Sequence, residues 1–362
     1  MTTTSDRQID RRRFLSGAAN SGLALAMLGG FSGQLSAAQA TELRLLFPGG
    51  TWKDWFDQTF VTPFAQKHNV KAIWKTGLGY EPLLIAQRAR PQWDMGQLDQ
   101  NTSAQQGALN TVVEWKESRI PNLKKVHPAF RYQFLAGVVH TPYGIAVNTK
   151  RIKKPITSWF DLWDPEFAGK VAFPDWVWSG EQVFHALNLL AGGDAENIDP
   201  GIAKLKELYK TRNAKTINNV EHTKQLLLAE EVWIAPYFGA RTEQAKAAGA
   251  PVEFVIPKEG GMSWIYNTAV IANRPPESIA LSEAFANDTL DAEKQIAFSR
   301  LCGYPPTNID AMKNLPPDLK RLEYSEADLE AMGKLARRFD YMAQFAYRDR
   351  NRERWNKEVL GG

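Results

Sequence analysis

The residues with the most chemistry to offer are rings and a few charges placed at the ends of short apolar runs. In Pro257–Asn273 (PKEGGMSWIYNTAVIAN), Trp264 and Tyr266 stand two apart in a strand pattern, so both rings leave the backbone on one face. The turn Lys258-Glu259-Gly260-Gly261 ahead of them leaves that backbone uncrowded. An earlier run, Thr141–Asn148 (TPYGIAVN), has a related form, with Tyr143 and Gly144 leading into an apolar strand. With Trp52, Tyr80, Trp176, Trp178 and Tyr237, the pair Trp264 and Tyr266 would make an aromatic box with few fixed charges. Such a box suits a cation whose charge is spread or shielded by carbon, each good ring face contributing about 0.5–2 kcal/mol.

Three charged residues could orient such a guest. Asp175 follows directly on a short apolar strand and is the carboxylate best placed to meet an amine. Glu181 is either its partner or an ordinary first-turn helix acid favoured by the helix dipole. Arg241, just past another strand end, could take a carboxylate bidentately or serve a structural ion pair. If both Asp175 and Arg241 touch the guest, the guest is zwitterionic.

Other chemistries find little support. The chain has no Gly-x-Ser-x-Gly, no His-Glu-x-x-His and no dinucleotide fingerprint; Gly77-Leu78-Gly79 lacks the third glycine. His68, His127, His140, His185 and His222 are scattered without ligand spacing, so neither metal nor cofactor is expected. Cys302 is alone, which excludes an intrachain disulfide and leaves core size to stabilise the fold.

The elements that must position these residues alternate. Glu42–Phe47, Val70–Lys75 and Gln92–Asp99 read as strands, each followed by a helical pattern, and Thr51 and Asn101-Thr102-Ser103 read as caps. This order indicates a largely parallel α/β sheet with ligand groups at the carboxyl ends of strands, which puts Thr51, Trp52, Tyr80 and Asn101 at the site. Further strands are expected at Val171–Phe173, Val232–Tyr237 and Val252–Ile256, with a helical run from Ser282 onward. The charged end, Arg348–Lys357, reads as a solvated helix face anchored by Phe345 and Trp355. The runs Thr141–Asn148 and Trp264–Ile271 read as crossings between two lobes, with a small ligand gripped where they cross.

A length of 362 residues with 44% hydrophobic content suggests two domains beyond a leader. The leader is residues 1–40: Asp10-Arg11-Arg12-Arg13-Phe14-Leu15, a weakly apolar segment to Gly30, and Ala38-Gln39-Ala40 at its end. These parts indicate twin-arginine export followed by cleavage, since the apolar core Leu23–Leu28 is far below the ~18 residues of a span. Its removal lowers the formal charge from +4 to about +2, too near neutral for a nucleic-acid binder.

Five segments together resemble the periplasmic solute-binding proteins of ABC importers, in the branch that includes spermidine/putrescine binders. They are Gly49-Gly50-Thr51-Trp52, Tyr143–Thr149, Trp159–Lys170, Pro257–Gly261 and Gly303-Tyr304-Pro305-Pro306-Thr307-Asn308; the third is similar to that branch's W-x-D-L-W-x-P-x-F-x-G-K. The resemblance implies a type II fold of two lobes, each a mostly parallel sheet flanked by helices, with two hinge crossings. Residues 41–147 with 268–362 would form one lobe and 148–267 the other. It also implies a periplasmic protein that binds a small molecule, Tyr143 included in the site, and docks with membrane permease subunits. Polyamine binders of this branch use carboxylates for amines and aromatic faces for methylenes. Asp175 and Glu181 sit near the branch's acidic pair but are separated by Trp176-Val177-Trp178-Ser179-Gly180, and Tyr266 stands where the branch often has an acid. The expected guest is therefore an amine-bearing solute, amino-acid-like or quaternary, with a polyamine as the second candidate. An exported enzyme and a ligand-sensing receptor are the alternatives outside transport.

Overall fold

The computed structural model describes residues 41–361, and the expected leader lies outside them. Nine strands run in order as β1 (Thr41–Phe47), β2 (Val70–Thr76), β3 (Met95–Gly96), β4 (Ala136–Asn148), β5 (Ala172–Pro174), β6 (Lys215–Ile217), β7 (Ile234–Phe238), β8 (Val252–Val255) and β9 (Met262–Val270). Seven of them form one sheet in the order β2-β1-β3-β9-β4-β7, with β8 also on β4, and β5 pairs β6. The pairings β1 with β2, β1 with β3 and β5 with β6 are parallel, and Val171 bridges to Ile234 in parallel as well. The antiparallel pairings gather in the middle, where β4 meets β7, β8 and β9. The alternating α/β pattern thus places parallel strands at both flanks, joined through two long antiparallel strands.

Those two strands, β4 and β9, lie between layers: all thirteen residues of β4 are buried, as are all of β9 except the half-buried Trp264 and Tyr266. β4 contributes Val138 and Val139 to a first hydrophobic cluster, with Leu45, Phe60, Phe285 and Phe298, and Tyr143 and Ile145 to a second, with Trp159, Phe173 and Phe184. β9 does the same, giving Ile265 and Val270 to the first and Met262 to the second. A register shift between Gly137 and Val139 interrupts the β4–β9 ladder. The Thr307 hydroxyl donates to the Gly137 carbonyl at 2.5 Å there, so the Pro305-Pro306-Thr307 segment holds the displaced backbone.

The expected third strand, Gln92–Asp99, shrinks to Met95–Gly96. Side-chain amides take over where the ladder stops: Asn267 Nδ2 donates to the Leu98 carbonyl (2.9 Å), and Gln100 Nε2 donates to the Ser263 carbonyl (2.6 Å) while its Oε1 accepts from Ile265 N (2.8 Å). The backbone hydrogen bonds of this buried stretch are therefore satisfied without strand geometry. Strand β6 was not anticipated, and β4 begins five residues earlier than its sequence pattern suggested.

The turn before β9 is a fastening point. Glu259 accepts from the Ser158 hydroxyl (2.6 Å), and the Trp159 indole N–H donates to the Gly260 carbonyl (2.8 Å). Gly260 has φ +108° and a Cβ there would sit 2.7 Å from Lys334 Cβ, so no other residue fits without displacement.

Of the two rings expected to anchor the C-terminal end, one does so. Phe345 is exposed, whereas Trp355 is fully buried in the second cluster, 5.4 Å from Phe184 and 5.5 Å from Trp176 between ring centroids. Leu335 and Val359 join the same cluster, so residues 268–362 do not all pack with the first half of the chain. Among the described residues no helix is long and apolar enough to cross a membrane. Trp355→Ala removes a large ring from a closed core and should cost about 3–5 kcal/mol in denaturant unfolding; a loss under about 1 kcal/mol would mean the C-terminal end merely covers the core.

Candidate ligand-binding site

Trp264 and Tyr266 do share one face of β9, both half-buried and separated by the buried Ile265. They rest on different clusters, Trp264 against the second and Tyr266 against the first. The Trp52 ring lies on Tyr266 with centroids 3.9 Å apart, and Tyr304 follows at 5.3 Å from Tyr266. On the other side, Phe238 meets Trp264 edge-on at 5.7 Å and Trp178 at 5.9 Å. Trp52, Trp178, Trp264 and Tyr266 are thus four expected site rings that the fold brings to the border of the two clusters.

Arg241 stands in the first turn of the helix Gly239–Ala247, directly after β7. Its guanidinium carbon is 5.3 Å from the Tyr304 ring centroid, and Nη1 donates to Gln244 Oε1 at 2.6 Å. Its Nε is buried with no hydrogen-bond partner. Burial works against its charge, but the surrounding phenols of Tyr304, Tyr266 and Tyr237 outweigh it and hold the pKa above its ordinary value.

Asp175 caps the short π-helical turn Trp176–Gly180, its Oδ1 accepting from Trp178 N at 2.8 Å. This is why the residues between Asp175 and Glu181 do not string out as a loop: the turn points Trp176 into the core against Phe184 and Trp355 and leaves Trp178 half-buried beside Phe238.

A second group forms where Asn101 and Glu181 meet. Asp99, Asn101 and Thr102 line one side of a small hollow, Glu181 and Gln182 another, and Tyr341, Gln344, Phe345 and Arg348 the third. Arg348 Nη2 pairs with Glu181 Oε2 at 2.7 Å. Burial raises the Glu181 pKa and Arg348 only partly offsets it. Asp99 is pushed up to about 7, first by burial, against the hydrogen bond from Asn101 N, with Glu81 and Glu181 adding repulsion. The hollow adjoins the aromatic group through Gln100, which stands between Asp99 and Asn101 and grips β9 on both sides of Trp264.

Five expected site residues take other places. Thr51 is exposed and is not the cap of its helix; the helix starts at Gly50 after Gly49, with no side-chain cap. Tyr80 is buried and its hydroxyl donates to the Lys75 carbonyl at 2.9 Å. Tyr143 is buried with its hydroxyl 3.0 Å from Ser179 Oγ, and Tyr237 is buried with its hydroxyl donating to the Val220 carbonyl at 2.8 Å. Trp176 is the fifth. In the four aromatic residues, packing or a hydrogen bond within the fold takes up the group that a ligand would have used. Asn101-Thr102-Ser103 likewise opens its helix without a side-chain cap bond.

Sequence reasoning missed Phe238, Tyr304, Gln244 and Asp99. Strand alternation in β7 held the signal for Phe238: it leaves the strand on the face opposite Tyr237, and though buried it meets Trp264 and Trp178 there. Tyr304 lay within a recognised motif, and nothing in its spacing tied it to Arg241.

With this geometry in view, residues 104–331 match the family described as bacterial extracellular solute-binding protein. The chain belongs to the bacterial extracellular solute-binding proteins. Among related solute-binding proteins, "Spermidine/putrescine-binding periplasmic protein 1" of Haemophilus influenzae is 28% identical over 289 residues, spanning 74% of this chain and 77% of its own. The fold is shared with an ABC transporter structure from Clostridium perfringens, at TM-score 0.72 and 20% identity over 88% of this chain and 99% of that one. It is also shared with the spermidine/putrescine ABC transporter substrate-binding protein PotD of Streptococcus pneumoniae, at TM-score 0.66 and 20% identity over 85% and 97% of the two chains. This solute-binding protein is therefore of the kind that serves ABC transporters, its relatives are periplasmic binders rather than enzymes, and its α/β architecture is theirs. Among its described residues no group of three or more His, Cys, Asp or Glu is arranged to hold a metal ion.

The raised Asp99 pKa has a definite sign. Its neutral form is favoured in the folded chain, so its contribution is fully favourable below the ordinary aspartate value and is lost as pH rises through about 7. Asp99→Asn should therefore raise the melting temperature at pH 8 by a few degrees, at about 2–4 °C per kcal/mol, with the gain gone by pH 4; an equal change at both pH values would show that Asp99 does not titrate abnormally.

Proposed function

We propose that this chain is the periplasmic substrate-binding component of an ABC importer and captures a small amine-bearing solute in an aromatic-lined cleft between two lobes. The observation that carries the reading is the placement of Trp264 and Tyr266: one face of one strand presents both rings, each resting on a different hydrophobic cluster. We take the lobes to be 41–147 with the chain after 268, and 148–267, with the residues around Leu335, Trp355 and Val359 belonging to the second. Closure then follows if the guest touches both, because a ligand favours the closed state by its differential affinity for it. Trp52, Trp178, Trp264 and Tyr266 supply faces, Asp175 supplies a carboxylate, and Arg241 lies at the edge of the same group. The relatives named for spermidine and putrescine support an amine as the recognised group. The leader composition supports twin-arginine export to the periplasm, and the family supports delivery to permease subunits.

Calorimetry on the mature chain tests this, with putrescine, spermidine, ornithine, lysine, glycine betaine and choline as the panel. At least one should bind with one site per chain, and Trp264→Ala should weaken it by between about twofold and thirtyfold, the worth of one ring face. Asp175→Asn should weaken it as well. Unchanged affinity in both variants would remove these residues from the site, and silence from the whole panel would overturn the amine assignment.

A further inference from the structure

We infer that the solute carries a carboxylate as well as its amine, and that Arg241 receives it; this rests on the cleft proposed above and narrows its occupant to a zwitterion.

Three observations point the same way. First, Arg241 has no carboxylate partner among the described residues: Nη1 is held by the neutral amide of Gln244, and the groups facing the guanidinium are the phenols of Tyr304, Tyr266 and Tyr237. Arginines at comparable depth in this chain are matched, Arg274 with Asp94 at 2.6 Å and Arg348 with Glu181 at 2.7 Å. Second, its Nε is buried without a hydrogen-bond partner. A buried guanidinium N–H with no acceptor is costly, and the guanidinium fork offers Nε and one Nη as a parallel pair of donors to two carboxylate oxygens. Nη1 is committed to Gln244 and Nε has no partner, so the edge of the fork that carries Nε is the one a carboxylate can take, beside the phenol hydroxyls of Tyr304 and Tyr266. Third, the position borders the aromatic group: Arg241 lies against the buried Tyr304, which packs on Tyr266, whose other ring neighbour is Trp52.

The amine partner in the proposed cleft is Asp175, whose Oδ1 caps the turn that carries Trp178, the ring that meets Phe238 edge-on. A diamine would satisfy Asp175 and bring a second positive charge toward an unmatched guanidinium. An amino acid or a betaine would satisfy both ends. The presence of Tyr266 instead of an acid on β9 agrees with this, since a phenol beside the guanidinium leaves its charge uncancelled.

Pairs of solutes that differ only in a carboxylate give the test: ornithine against putrescine, lysine against cadaverine, and arginine against agmatine, each titrated by calorimetry into the mature chain. In at least one pair the carboxylate-bearing member should bind more tightly by about tenfold or more, the contribution of a charge-assisted hydrogen-bonded pair. Arg241→Gln should bring the two members of that pair to within about threefold of each other, mainly by weakening the carboxylate-bearing member, with a far-UV circular dichroism spectrum like that of the unaltered chain showing that the variant folds. Pairs that bind without a preference, or with preference for the diamine, overturn the carboxylate while leaving the amine cleft standing. A preference that survives Arg241→Gln overturns the role of Arg241. If no member of any pair binds, the amine cleft itself fails and the inference falls with it.

Discussion

Everything in this fold that concerns a ligand depends on the antiparallel pairing of β4 with β9. Each strand is long enough to lie in two hydrophobic clusters at once, and together they are the one stretch of sheet where the parallel flanks are joined. The pairing is reinforced from both sides. Thr307 holds the carbonyl of Gly137 where the register slips, and Gln100 and Asn267 supply amide bonds to the opposite edge of β9 where β3 has run out. Buried backbone must be paired, and these side chains make it possible for β9 to stay flat and buried without a full-length neighbour. The same bonds fix the direction in which Trp264 and Tyr266 leave the strand.

Around that pair, the site is built from short-range rules acting at strand ends. Helix starts follow β1, β5 and β7 immediately, and they carry Trp52, Asp175 with Trp178, and Arg241 to the border of the clusters. A strand end followed by a helix start is where side chains can reach a ligand without disturbing a core. The acidic hollow at Asp99 and Glu181 is assembled differently, from a loop, a helix start and the C-terminal segment, and it places Arg348 where it neutralises one of the two acids.

Much of this was legible in the chain. Period-two alternation placed Trp264 and Tyr266 together on β9, and the apolar runs located seven of the nine strands in place or nearly so. What was not legible has physical causes. Tyr237 and Phe238 are both aromatic, so only the register against β4 decides which one faces inward. Tyr80 and Tyr143 look like ligand groups until the carbonyl or hydroxyl that their oxygens meet is known. Gln100 and Asn267 are far apart in the chain and give no pattern that would join them to each other's backbone. In the charged C-terminal stretch two rings are candidate anchors, and composition does not tell that Trp355 fills the second core while Phe345 is left exposed.

The contact of Trp52 with Tyr266 carries a consequence for selectivity. A flat ring has two faces, and here one face of each is spent on the other. Tyr304 and Phe298 crowd the same pair from other sides, so in the proposed cleft at most one surface of each ring would be left for a solute. In the proposed cleft thickness would then be a sharper criterion than length: a thin, planar or single-file carbon chain would lie along such a surface, whereas a branched one would have to part the two rings.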